Sequence, residues 1–277
     1  MKLQAFLPLV TYTDPNADAV AANAAAVAAL IGADLNALAV NVTIPQVSNA
    51  LSRFLLDVPD MIRQAEATSR GHGERLLAAV KAAGEAAQVT VATETVVETP
   101  PLLSATAALA ARYHDIALIG WEEQNPTSRT TAESVVFGSG RPVVLLPETL
   151  DAAAFDHVAI AWDGSRVAAR AAADARPFLA RARRVSVLTV VDEKPLAAED
   201  GERLAASLRR AGLEAEAVKL TGRNAAVART LQEGALERGC GLLAMGGYGH
   251  SRVRDFVMGG ATEGVLKALS IPVLLSH

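Results

Sequence analysis

Residues 246–260, GGYGHSRVRDFVMGG, combine clustered glycines with basic side chains at a spacing that could serve chemistry. The glycines follow the pattern G-x2-G-x9-G-G, after an apolar run and before an amphipathic one. Where a parallel strand ends, glycines let the backbone approach a ligand closely, and amides at the start of the next helix favour an anion. A tight turn followed by a helix has the same spacing without any ligand. The glycines alone leave both interpretations open.

Other motifs that bind phosphate, bind metal or activate a nucleophile are absent from the sequence. It has no G-x4-G-K-[ST], no G-x-G-x-x-G after a strand, no H-E-x-x-H and no G-x-S-x-G. The five histidines are scattered, without the spacing of Cys and His that a metal site needs. We therefore predict no metal site and no catalytic residue.

The second half of the chain alternates β-prone and helical segments. Alternation of this kind predicts right-handed crossovers and a parallel, doubly wound α/β sheet. The predicted strands are 157–162, 184–191, 213–220, 241–246 and 272–276. The predicted helices are 166–182, 197–212, 224–240 and 261–269.

The first half repeats this order, and the endings GRPVVLLPE and SIPVLLSH correspond in type and position. Self-similarity with a period of about 130 residues indicates duplication of a whole domain rather than a solenoid. The segment 148–156 is the predicted linker. We predict two tandem domains, 1–148 and 157–277, each with a five-stranded parallel sheet flanked by helices.

Composition narrows the classes of function. Hydrophobic residues make up 51% of the chain and charged residues 20%, which predicts a folded core. A net charge of −4 argues against nucleic acid as a partner, since binding to the phosphate backbone needs a basic surface. The amino terminus lacks a signal-peptide cleavage site and a membrane-spanning segment, and the one cysteine, Cys240, predicts a reducing compartment. We expect a cytoplasmic protein without a membrane partner.

The second half resembles a universal stress protein domain, whose ATP-binding members carry G-x2-G-x9-G-[ST] after the fourth strand. Gly246, Gly249 and Gly259 correspond to that motif. Asp163, in WDG after the first predicted strand, corresponds to the family's aspartate near the adenosine, and Val190 corresponds to a position that contacts adenine. The resemblance covers 157–277. It implies the adenine nucleotide alpha hydrolase-like (Rossmann-like) fold and an ATP site, with or without Mg²⁺.

Gly260 is the one departure from the motif, because the family has Ser or Thr there. A hydroxyl donor to the phosphates is lost, while the amide of Gly260 remains available. A hydrogen bond to a charged group is worth about 1.5–3 kcal/mol, so the loss predicts a weaker site. Thr262 could compensate in part, although we expect a threonine on the helix surface. Asp163 could likewise cap the following helix instead of contacting ribose.

The first domain is a degenerate copy. Gly120 corresponds to Gly246, but the later glycines are missing, and Glu122 and Glu123 stand where phosphate would approach. Two carboxylates oppose an anion by repulsion. Asp14 corresponds to Asp163 in the sequence comparison, but an isolated aspartate makes no site. We predict that this domain binds no ATP and serves as a structural or interaction partner.

Three functions follow from these patterns. The first is a regulatory stress protein that binds ATP through Asp163, Val190, Gly246, Gly249, Gly259 and Gly260, with slow hydrolysis as an open option. The second is an interaction or scaffold protein without nucleotide, and the third binds another small molecule between the domains. The resemblance also implies an intramolecular pseudo-dimer of the two halves, with a homodimer of the whole chain as a further option.

Overall fold

The computed structural model describes residues 2–45, 58–192, 199–222, 226–247 and 260–277. The chain divides into two compact units, unit 1 from Met1 to Ser139 and unit 2 from Gly140 to His277. None of the helices in the described ranges is long and apolar enough to cross a membrane.

Unit 1 is a parallel sheet with helices packed on it. Its strand order is β3-β2-β1-β4. The strands are β1 (Leu3–Val10), β2 (Ala33–Val42), β3 (Val91–Glu98) and β4 (Ile116–Trp121). The helices are α1 (Ala19–Ile31), α2 (Val58–Ala86), α3 (Leu103–Ala111) and α4 (Pro126–Gly138), with a 3-10 turn at Pro100–Leu102.

Unit 2 has the strand order β5-β10-β9-β6-β7-β8, and all described pairs are parallel except β5 with β10. The strands are β5 (Val143–Pro147), β6 (His157–Ala161), β7 (Arg184–Val190), β8 (Glu214–Leu220), β9 (Leu242–Gly246) and β10 (Val273–Ser276). The helices are α5 (Arg166–Asp174), α6 (Arg176–Leu179), α7 (Asp200–Arg210), α8 (Val227–Leu236) and α9 (Gly260–Val265), with a 3-10 turn at Ala152–Asp156.

The central strands hold the core and fix the strand ends. Every residue of β4, β6 and β10 is buried, as expected for strands covered on both faces. The outer strand β8 instead alternates charged and apolar residues and is largely exposed. Loops that leave the central strands therefore start from rigid positions.

The predicted α/β class, with helices flanking largely parallel sheets, is confirmed. Three details differ. The segment 166–182 forms two helices, because Pro177 lacks the amide needed to continue the first one. In the first half the sequence pattern predicts a helix at about 130–137, whereas helix α4 begins at Pro126. Strand β5 pairs antiparallel with β10, a partner that its apolar run did not specify.

Candidate functional site

Three neighbouring strands of unit 2 bring Asp163, Val190 and Gly246 to one edge of the sheet. Strand β6 lies between β9 and β7, and all three run parallel. The pairs Ala161–Leu188 and Ile160–Ala244 set their register. Counting on from those pairs, Asp163 is level with Val190 and one residue beyond Gly246. Ligands of open α/β sheets bind at this carboxyl edge.

Gly246 is required by the close approach of β9 to α5. A Cβ atom there would lie 2.6 Å from the carbonyl carbon of Val167 and 2.8 Å from the amide nitrogen of Ala168. Both are backbone atoms of the first turn of α5, so they cannot move aside as a side chain would. The amide of Gly247 donates to the carbonyl of Ser276 at 2.7 Å, which ties the start of the glycine segment to β10.

Asp163 supports the turn that begins α5. Its Oδ1 accepts from the Ser165 amide at 3.0 Å, and Gly164 has a φ of 70°, which suits glycine. The helix itself is capped by Ser165, whose Oγ accepts from the Ala168 amide at 3.2 Å. Asp163 is half-buried. The carboxylate is thus held at the strand end by local hydrogen bonds, and the capping role belongs to its neighbour.

Val190 is the last residue of β7, and its apolar side chain is buried. Beyond it, the amide of Val191 donates to the carbonyl of Leu220 at 3.0 Å. Oδ1 of Asp192 accepts from the Gly222 amide at 2.9 Å, so the segments after β7 and β8 stay joined past the end of the sheet. A flat apolar group that reaches this edge would meet a fixed hydrocarbon surface.

Gly249 and Gly259 lie outside the described residues, as do His250, Arg252 and Arg254. Gly260 is the first residue of α9. Thr262, expected on the helix surface, is buried, so that expectation was wrong. Helix α9 also packs closely on α8, because a Cβ atom at Gly264 would lie 2.5 Å from Cβ of Ala228.

In unit 1 a side chain fills the region where a ligand anion would approach. The Glu122 carboxylate accepts two hydrogen bonds from Nδ2 of Asn16, at 3.0 and 3.1 Å, and one from the amide of Ala17 at 3.1 Å. These donors lie just before α1, where backbone amides and the helix dipole favour negative charge. The glutamate therefore acts as an internal anion, a role that its sequence position alone did not reveal.

The first backbone amides of α4, the helix after β4, are also paired with a side chain. Oδ1 of Asn125 accepts from the amides of Thr127 and Ser128, both at 3.0 Å, and Pro126 occupies the first turn. The Ser128 hydroxyl donates to the carbonyl of Gly120 at 2.6 Å. The first-turn amides that could hold a phosphate are thus already paired. The Asn-Pro sequence is a known start signal for a helix and could have indicated this cap.

Asp14 is not the counterpart of Asp163, contrary to the sequence comparison. Val20 in α1 and Val167 in α5 contact the corresponding glycines of the two units. Asp163 lies four residues before Val167, and the residue four before Val20 is Asn16. Asp14 is exposed in a longer loop between β1 and α1, and length differences of this kind are invisible without the strand and helix positions.

Titratable side chains in the described ranges do not gather into a metal centre: no group of three or more His, Cys, Asp or Glu residues there could hold an ion.

The fold and this strand edge define a doubly wound α/β domain with a glycine-rich junction between strand and helix. Residues 154–277 match the model of the universal stress protein family. A segment of 68 residues is 41% identical to universal stress protein Slr1230 of Synechocystis sp., but that match spans only 24% of this chain and 22% of the relative. The match to the universal stress protein family thus concerns residues 154–277 of this chain.

Solved structures share the fold over nearly the whole length. A universal stress protein from Archaeoglobus fulgidus superposes with a TM-score of 0.71 at 17% identity, covering 98% of this chain and 95% of that one. The functionally unknown protein PA1789 from Pseudomonas aeruginosa superposes with a TM-score of 0.52 at 15% identity, covering 99% and 92%. At such identities the likeness concerns the fold.

Proposed function

We propose that unit 2 binds ATP at the carboxyl edge of β9, β6 and β7, and that the protein acts in the stress response as a nucleotide-dependent regulator. The observation that supports this most is that Asp163 and Val190 are level with each other and one residue beyond Gly246, at the ends of three adjacent strands. These residues are far apart in the sequence, so their convergence adds weight that the glycine spacing alone lacks.

Each contact has a chemical role in this proposal. The Asp163 carboxylate accepts hydrogen bonds from the ribose hydroxyls, and Val190 packs against adenine. Gly246, Gly249, Gly259 and Gly260 offer backbone amides to the phosphates, whose charge Mg²⁺ would share when bound. Gly260 donates only its amide, so we expect a weaker site than one with Ser or Thr there. Regulation by binding is the proposed role, and slow hydrolysis of bound ATP is compatible with it.

The first domain, 1–148, is proposed to be a degenerate copy that binds no nucleotide. The Glu122 carboxylate lies at the start of α1, and Asn125 pairs the first amides of α4. A phosphate would have to displace the Glu122 carboxylate and break the hydrogen bonds that Asn125 accepts. The cytoplasmic location, the pseudo-dimer of the two halves and a homodimer of the chain stay predictions.

Isothermal titration of the whole chain with ATP and ADP tests the proposal. Asp163→Asn keeps an oxygen for the Ser165 amide but removes the charge that ribose hydroxyls would meet. We expect affinity for ATP to fall about tenfold to a hundredfold, the equivalent of one hydrogen bond to a charged group. Asp14→Asn, at an exposed loop aspartate of unit 1, is the matched control and should bind like the unaltered chain.

The absence of heat with millimolar ATP, from protein that is folded by circular dichroism, would reject nucleotide binding and leave the interaction role. Equal affinities for Asp163→Asn and the unaltered chain would reject this placement of ribose.

A further inference from the structure

A buried polar cluster lies in unit 2 away from the edge just described, toward the amino ends of the strands. His157 begins β6, and its Nε2 lies 2.9 Å from Oγ of Ser186 on β7. The Ser186 hydroxyl in turn donates to Oε1 of Glu216 on β8 at 2.9 Å. His157 is 3% exposed and Ser186 is fully buried, whereas Glu216 is exposed. Three adjacent strands are thus joined by one chain of hydrogen bonds, which the proposed ATP site does not use.

The donors in this series of hydrogen bonds determine which nitrogen of the His157 imidazole carries the hydrogen. A carboxylate only accepts, so the single hydroxyl hydrogen of Ser186 is committed to Glu216. Ser186 can therefore only accept from His157, which places the ring hydrogen on Nε2. Nδ1 makes no hydrogen bond of normal geometry among the described residues, although the backbone of Arg238 favours a proton on the ring. The folded structure accordingly suits the neutral ring.

The charges around His157 come from several elements. Burial lowers the pKa of His157 first, and the Arg184 guanidinium on β7 lowers it further. The backbone of Arg238, before β9, and the carboxylates of Glu216 and Asp156 act on the pKa in the opposite direction but do not reverse the shift. The imidazolium is therefore disfavoured in the fold.

Cys240, before β9, adds no charge to this cluster. It is 4% exposed, and burial raises the pKa of its thiol to about 11, so it remains a neutral thiol. A buried cysteine of this kind behaves as a small core residue.

We propose that His157 makes unit 2 acid-sensitive: protonation of this buried imidazole weakens the fold of unit 2 and leaves unit 1 unchanged. In the unfolded chain the ring titrates near its ordinary pKa of about 6.5. Because the pKa is lower in the folded unit, full stability holds above that value and is lost progressively as the pH falls below it. One proton taken up on unfolding raises the unfolding constant by up to about tenfold for each pH unit in that window.

The two tryptophans allow each unit to be followed separately. Trp121→Phe leaves Trp162 to report on unit 2, and Trp162→Phe leaves Trp121 to report on unit 1. Neither indole N–H has a partner in the described structure, so phenylalanine breaks no hydrogen bond. Urea unfolding of both full-length variants from pH 8 to pH 5 gives the pH dependence of the unfolding constant for each unit.

Adding His157→Gln to the Trp121→Phe chain isolates the effect of the imidazole, because the glutamine amide can still donate to Ser186. Glutamine takes up no proton in this pH range. We therefore expect the unfolding constant reported by Trp162 to rise less below pH 6.5 in the His157→Gln variant than in its parent. His277→Gln, at the exposed chain end, is the control and should show the same pH dependence of the unfolding constant as its parent. When His157→Gln is added to the Trp162→Phe chain instead, the Trp121 signal should not respond.

Equal pH dependence with and without His157→Gln would overturn the proposal. If that variant does not fold, NMR titration of the His157 ring in the unaltered chain decides. A ring pKa below about 6.5 supports the proposal, and one at or above that ordinary value overturns it.

Discussion

Gly260 in unit 2 and Glu122 in unit 1 are the residues at which each half departs most from the glycine motif. Gly260 removes a hydroxyl but keeps a backbone amide at the start of α9. Glu122 adds a carboxylate that pairs with Asn16 and Ala17. On the proposed function, the first change weakens an anion site, whereas the second places a carboxylate where an anion would bind.

Restoring the hydroxyl should strengthen ATP binding. For Gly260→Ser we expect affinity to rise about tenfold or more, because one hydrogen bond to a charged group is worth about 1.5–3 kcal/mol. Serine also suits the beginning of a helix. Isothermal titration of the variant beside the unaltered chain measures this. Unchanged affinity would mean that the phosphates do not reach α9.

Removing the internal anion should destabilise unit 1. Glu122→Ala leaves the Asn16 amide group and the Ala17 amide without their acceptor, at an expected cost of about 1–3 kcal/mol in free energy of unfolding. Urea unfolding followed by Trp121 measures it. Glu123→Ala, at an exposed neighbour, is the control and should change stability by less than about 0.5 kcal/mol. Equal effects of the two variants would contradict the role of Glu122.

Sequence reasoning reached some of these residues and missed others for physical reasons. Gly246, Asp163 and Val190 stand at strand ends, which hydrophobic runs mark clearly. The bonds of Glu122 could not be predicted, because they reach over a hundred residues back along the chain to Asn16. The match of Asp14 with Asp163 was wrong because the loop before α1 is longer than its counterpart in unit 2.

At the scale of elements, both units pack a helix onto a glycine at or next to the end of a central strand. At Gly246 a Cβ atom would meet backbone of α5, whereas at Gly120 its nearest neighbour, at 2.5 Å, is Cγ2 of the Val20 side chain. A side-chain methyl can rotate away, but the first turn of a helix cannot. The contact between strand and helix is therefore tighter in unit 2.

This difference predicts unequal costs for the same substitution. Gly246→Ala should destabilise unit 2 by more than about 2 kcal/mol, in the range seen when a core is overpacked. Gly120→Ala should cost unit 1 less. Urea unfolding followed by Trp162 and Trp121, respectively, compares them. A larger loss for Gly120→Ala would contradict the packing described for α5.

The elements themselves were largely predictable, since alternation of apolar strands and alanine-rich helices runs through both halves. The pattern of apolar and polar residues did not predict that β5 pairs with β10. Its apolar residues fit a buried strand in either unit and in either direction, and only tertiary packing selects the antiparallel partner β10. The break between α5 and α6, by contrast, is a local effect of Pro177 and could have been predicted.

At the scale of the whole molecule, the two units share an architecture but differ at the strand edge where ligands bind. Unit 1 closes that edge with Glu122 and Asn125, and unit 2 ends β9 in glycines. Duplication of one domain explains the related strand order of the two units. On this account, one chain offers one nucleotide site.

The number of ATP molecules bound per chain tests this most directly. Equilibrium dialysis of the full-length protein against labelled ATP, carried to saturation, gives that number without any variant. We predict one ATP per chain. Saturation at two would contradict the closure of unit 1, and no bound ATP at millimolar ligand would contradict the site in unit 2.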